Sequence, residues 1–165
     1  MNKKLLVPIF LFLMVGIAFG TLVNIISNTV TYSFETDLPF ELTIKVPENG
    51  DFGKVHGGST VLATYTVENR ANNAVSAVNE IVIYGPSNLN GSEITSIEFS
   101  KDGTSWTPLS VFEIVDRNGD GKADIVYRTD AVSYNASSSE DNYLRITFNP
   151  AIEPGNYSFE VKLLP

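Results

Sequence analysis

The chain has no cysteine among its 165 residues. That excludes disulfides, thiolate metal sites and cysteine nucleophiles. It has one histidine, His56, so zinc and copper sites, which draw on imidazole, are poorly supplied. His56 sits beside Gly57-Gly58, with neither a metalloprotease helix motif nor a nucleophile elbow around it. Basic residues are few: 11 Lys and Arg against 19 Asp and Glu leave a net charge of −8. The basic footprint of a nucleic-acid binder is therefore missing, and the negative charge favours solubility. Acids are plentiful, but no pair stands apart as the acid and base of a glycoside hydrolase. These absences together lead us to expect a protein that is not an enzyme. After Ile26 there is also no helical periodicity of any length.

The first 26 residues differ from the rest. Met1-Asn2-Lys3-Lys4 precedes an apolar run from Leu5 to Phe19, the layout of a secretory signal. Ala18-Phe19-Gly20 offers small residues for cleavage, which would leave Thr21 as the new start. The apolar character continues through Leu22, Val23, Ile25 and Ile26, so Leu5–Ile26 is also long enough to cross a bilayer, with Lys3 and Lys4 inside. Residues 1–26 thus read as a signal peptide or an N-terminal membrane anchor. A pilin-type leader is a third reading, although no Gly or Ala precedes the run. All three export the remainder of the chain, to the cell surface or the extracellular space.

The exported part reads as all-β: residues 27–38 as a connector, then a single β-sandwich of Ig-like or jelly-roll type over 39–165, preceded by the one N-terminal hydrophobic helix. Phe40, Leu42, Ile44 and Val46 alternate with Glu41, Thr43 and Lys45, which predicts one buried and one wet face. Val61 to Val67, Ile81 to Tyr84, Ile94 to Phe99, Leu144 to Phe148 and Tyr157 to Leu163 are further strands. Lys101-Asp102-Gly103-Thr104 is a hairpin turn, with Trp106 in the return strand. Residues 47–59, 85–92 and 135–142 read as loops.

Residues 116–124, Asp-Arg-Asn-Gly-Asp-Gly-Lys-Ala-Asp, carry the chemistry. A hard cation takes oxygen ligands from alternate positions of such a loop, with glycine at the sixth, where the chain turns. Asp116, Asn118 and Asp120 fill the first, third and fifth positions, the Lys122 carbonyl the seventh and Asp124 the ninth. The expected ion is Ca²⁺. Tyr127 stands where an EF-hand has its bidentate Glu, and both flanks, Val111–Val115 and Ile125–Arg128, read as strands. The pattern resembles the D-x-N-G-D-G-x-x-D calcium hairpins of FG-GAP and VCBS-type extracellular repeats. The bland alternative is an Asn/Asp/Gly turn without metal.

A looser resemblance covers the whole chain. The signal-like start, the strand Phe40–Val46, Lys54-Val55-His56-Gly57-Gly58-Ser59 and Tyr65-Thr66-Val67-Glu68-Asn69 come in an order similar to that of TasA/camelysin matrix-filament proteins and related archaeal pili. The resemblance implies a sandwich completed by a neighbour's N-terminal strand, here Leu22 to Tyr32, and so self-association. A mature start at Thr21 would leave an apolar, β-branched segment that needs a sheet edge to bury it. Trp106 with nearby tyrosines offers an alternative role, a module that binds surface glycans, although a single Trp after such a turn more often packs on a sandwich. Asn90, Asn135 and Asn156 head glycosylation sequons. The favoured reading is a calcium-stabilised structural protein of the cell surface: an envelope, filament or adhesive component.

Overall fold

The computed structural model describes residues 39–164 apart from Asn49. The signal or anchor over 1–26, the connector over 27–38 and the donor segment Leu22 to Tyr32 lie outside the described residues. Contacts divide the chain into Met1–Glu35 and Thr36–Pro165, and the described strands all belong to the second unit. Among the described residues no helix is long and apolar enough to cross a membrane.

The described residues form nine strands: β1 (Phe40–Val46), β2 (Thr60–Asn69), β3 (Val75–Tyr84), β4 (Ile94–Ser100), β5 (Thr107–Pro108), β6 (Val111–Val115), β7 (Asp124–Tyr134), β8 (Ser138–Phe148) and β9 (Ser158–Leu164). They form two antiparallel sheets, ordered β1-β2-β8-β4-β5 and β6-β7-β3-β9. The inward side chains of both meet in one core, with Val67, Ile81, Ile97, Ile125, Leu144 and Ile146 essentially sealed from water. The fold is therefore an all-β sandwich. Alternation predicted this well on β2, where Val61, Ala63, Tyr65 and Val67 are all buried.

One end of the core is polar, and there the sequence misled. Asn79 Oδ1 accepts from Tyr65 Oη at 2.9 Å and from Tyr134 Oη at 3.1 Å. Asn142 Nδ2 donates to Tyr134 Oη at 3.1 Å, and Thr129 Oγ1 accepts from the Asn79 N–H at 2.9 Å. Asn79 and Asn142 have no exposed surface. Residues 138–142 read as loop because they are polar, yet they open β8. They pair in register with Tyr65 to Asn69 of β2, and Asn142 points into this network. Hydrogen-bonded partners replace apolar packing here.

β1 departs from expectation in the other direction. Its polar face behaves as predicted: Glu41 pairs with Arg70, and Lys45 with Asp141. On its apolar face only Phe40 packs tightly, edge-on against Tyr134. Leu42, Ile44 and Val46 are 38%, 61% and 45% exposed.

Candidate functional site

The Asp/Asn loop joins β6 to β7, with Val115 opposite Asp124 at its base. Gly119 and Gly121 have φ of 76° and 82°, a region open to glycine at little cost, and this lets the chain double back. The side chains expected as ligands are turned inward on the loop. Asp116 Oδ1 accepts the Gly119 N–H at 2.7 Å, and its Oδ2 the Gly121 N–H at 2.9 Å. Asn118 Oδ1 accepts from Asp120 N–H at 3.0 Å, and Asp120 Oδ1 from Lys122 N–H at 2.8 Å. Asp124, buried at the base, accepts the Arg117 N–H at 2.8 Å. Each carboxylate oxygen keeps a lone pair beyond the one used. Among the described residues no three His, Asp or Glu side chains converge as a metal cluster. The donors are thus ordered along one hairpin, and Asp116, Asp120 and Asp124 are not drawn about a common point.

Sequence reasoning missed what braces this loop. Asn88 Oδ1 accepts the Ala123 N–H at 2.8 Å, and Leu89 N–H donates to the Ala123 carbonyl at 2.8 Å, so the 85–92 loop holds the hairpin from the side. Arg117, second in the motif, reaches Glu113 at 3.1 Å and Glu80 at 3.4 Å. Glu80 is 4% exposed and also receives Arg128 at 2.6 Å. A buried carboxylate held by two guanidinium groups ties the loop to β3. Nothing in the motif itself announces Glu80.

A second site lies at the opposite edge of the sandwich. A cleft of about 910 Å³ opens between β1 of one sheet and β9 of the other. Leu42, Ile44 and Val46 wall one side, Phe159 and Val161 the other, and Ile146 lies at its floor. Among the described residues neither edge strand has a partner beyond it in the sheet orders. The 47–59 loop borders the mouth, with Phe52 against Phe159 at 5.9 Å between ring centres. Its return requires glycine at 57, where a Cβ would lie 2.6 Å from the Pro150 carbonyl oxygen. His56 is exposed on this loop.

Trp106 precedes β5 rather than lying within it. The Arg145 guanidinium covers its ring at 4.3 Å from the centroid. Asn90, Asn135 and Asn156 are all exposed.

No protein-family model and no curated protein matches this sequence. Among solved structures the chain is similar to AvmM, described as catalysing macrocyclization in alchivemycin A biosynthesis, at 11% identity and a TM-score of 0.54 over 78% of this chain and 88% of that one. It is also similar to a family 3b carbohydrate-binding module from Clostridium clariflavum (14% identity, TM-score 0.42, 76% and 91% covered). A family 3a module from the cipA scaffolding of Clostridium thermocellum is a further neighbour (5% identity, TM-score 0.39, 75% and 95% covered). The first likeness is one of fold.

Proposed function

We propose that this is an exported, non-enzymatic structural protein of the cell surface whose sandwich is completed by a strand from a neighbouring copy. The observation that carries this reading is the open cleft. Leu42 and Ile44 lie opposite the inward-facing Val67 and Tyr65, yet water reaches both, and Val46, past a β-bulge, lines the same cleft and is 45% exposed. Burying such a side chain is worth about 2 kcal/mol. An added strand would also satisfy the unpaired main-chain groups of an edge. The donor is Leu22 to Tyr32, rich in β-branched and apolar residues. Calcium at Asp116, Asn118, Asp120, Asp124 and the Lys122 carbonyl would clamp the β6–β7 hairpin and stabilise each copy.

The lack of cysteine makes the test direct. One preparation carries Val30→Cys and another Val161→Cys, and the two are mixed and oxidised. A disulfide joining the two variants, located by peptide mass, is the expected result. Copies that assemble into filaments without that link would place the donor elsewhere. A protein that stays monomeric at all concentrations would overturn the assembly reading.

A further inference from the structure

We infer that the outer face of the five-stranded sheet is a binding platform for a neutral polysaccharide, centred on Trp106. This goes beyond the assembly reading and uses the face turned away from the core, so it stands whether or not copies join. Register lays out the platform. Leu62 of β2 lies opposite Arg145 of β8, Arg145 opposite Glu98 of β4, and Glu98 opposite Pro108 of β5. Their chain neighbours Val61, Leu144, Ile146, Ile97 and Phe99 point into the core, so these four point outward.

Three properties of this row fit a sugar chain. It offers apolar surface: Leu62, which is 46% exposed, and the half-buried Trp106 indole, whose ring carries the Arg145 guanidinium. It offers a planar hydrogen-bonding group beside that surface, since Arg145 Nε donates to Glu98 Oε2 at 2.7 Å, one of the five N–H donors of a guanidinium. The next row supplies hydroxyls, with Thr60 Oγ1 and Thr147 Oγ1 2.9 Å apart on the exposed surface. Pyranose rings present the same alternation of apolar C–H faces and equatorial hydroxyls. Charge selects among sugars. Arg145 and Glu98 cancel, so the row is neutral on a chain of net charge −8. An anionic polymer is repelled by the whole molecule and gains nothing here.

The platform is also preorganised. Asp102 accepts the Thr104 N–H at 2.7 Å, the Ser105 N–H at 2.6 Å and the Ser105 hydroxyl at 2.9 Å. Gly103, at φ 71°, lets the turn lie on the Tyr143 ring, where a Cβ would stand 3.4 Å away. The turn that delivers Trp106 is therefore fixed before any ligand arrives, which reduces the ordering cost of binding.

Because Trp106 is the lone tryptophan, its emission reports directly on the site. The full-length protein is titrated with cellohexaose and chitohexaose, and is mixed with cellulose, chitin and isolated cell envelopes. Envelopes are used untreated, periodate-oxidised to destroy vicinal diols, or protease-digested. The expected result is a shift in tryptophan emission or depletion onto at least one polysaccharide or the untreated envelope, lost on periodate treatment and kept after protease. Trp106→Ala should bind about thirtyfold more weakly, the loss typical of an aromatic anchor. Arg145→Ala should weaken binding as well, and Phe112→Ala, an exposed ring elsewhere, should not. Binding that survives Trp106→Ala, or that vanishes with protease alone, overturns the proposal. So does an unchanged emission spectrum with no depletion on any of these materials.

Discussion

The ring of Phe40 meets that of Tyr134 edge to face, with centres 5.3 Å apart and planes at 68°. This contact closes the sandwich at one end of β1. Two residues further on, Leu42 already faces the open cleft. The same strand therefore belongs to the core at its start and to an unfinished edge along the rest of its length.

Calcium should stabilise the protein through the 116–124 loop. Binding to the folded form alone, at a hundredfold excess over Kd, adds about 2.7 kcal/mol. Loops of extracellular modules commonly bind at about 10⁻⁴–10⁻³ M, so millimolar calcium is the right range. The melting temperature is expected to rise with calcium and fall back with chelator, and Asp120→Ala should remove the difference. Identical melts in both conditions would reduce the loop to a turn.

Asn69 should matter more than any surface polar residue. Its fully buried amide donates to the carbonyls of Asn73, Tyr134 and Asn135, and its oxygen accepts the Ala71 N–H at 3.0 Å. Asn69→Ala leaves several of these groups unpaired, at a cost of about 3 kcal/mol. Denaturant unfolding of the variant would measure it, and a loss below half that would show that the loops reclose around the gap.

Acid should weaken the β7–β8 end. Burial by itself would raise the Glu140 carboxyl, but Lys101, the Asn135 N–H and the Ser138 hydroxyl hold it below its ordinary value of 4.5. A depressed value means that the fold favours the ionised form. The stabilisation is present above about pH 4.5 and is lost as pH falls through the lower, folded value. Glu140→Gln should flatten the acid limb of a plot of melting temperature against pH.

Alkali should act through tyrosine. Burial, and then a hydrogen bond to Glu160, push Tyr84 up to about 12, while burial and the nearby Glu93 push Tyr127 to about 12. Here the fold favours the protonated form, so the stabilisation is present below pH 10 and is lost as pH rises towards 12. Ultraviolet titration should show tyrosine ionisation extending up to about pH 12 in the folded protein and moving to lower pH in denaturant.

Much of the fold was legible in the sequence, for physical reasons that also mark the limits. Alternation on β2 and the glycine pattern of the 116–124 hairpin are local signals, and both took the form expected. The start of β8 was not legible, because Glu140 and Asn142 are polar residues whose partners arrive from other strands. Alternation on β1 says which side chains face inward. It cannot say whether anything lies over them, and the cleft is a property of where β9 stops the other sheet. Glu80 was hidden likewise: its two arginines are 37 and 48 residues away.

The strand orders also bear on how the molecule is made. β2 pairs with β8, where Thr60 and Thr147 stand 87 residues apart, and β3 finds one of its two neighbours only in β9. Both sheets have a central seam between distant parts of the chain, so a growing polypeptide can form the β1–β2, β4–β5 and β6–β7 hairpins early but cannot zip either sheet until residues 138–164 have emerged. Pairings of that range make folding slow, on the order of milliseconds to seconds. During that interval the unpaired strands stand open to one another and to other chains, and a chaperone would meet this protein in that form.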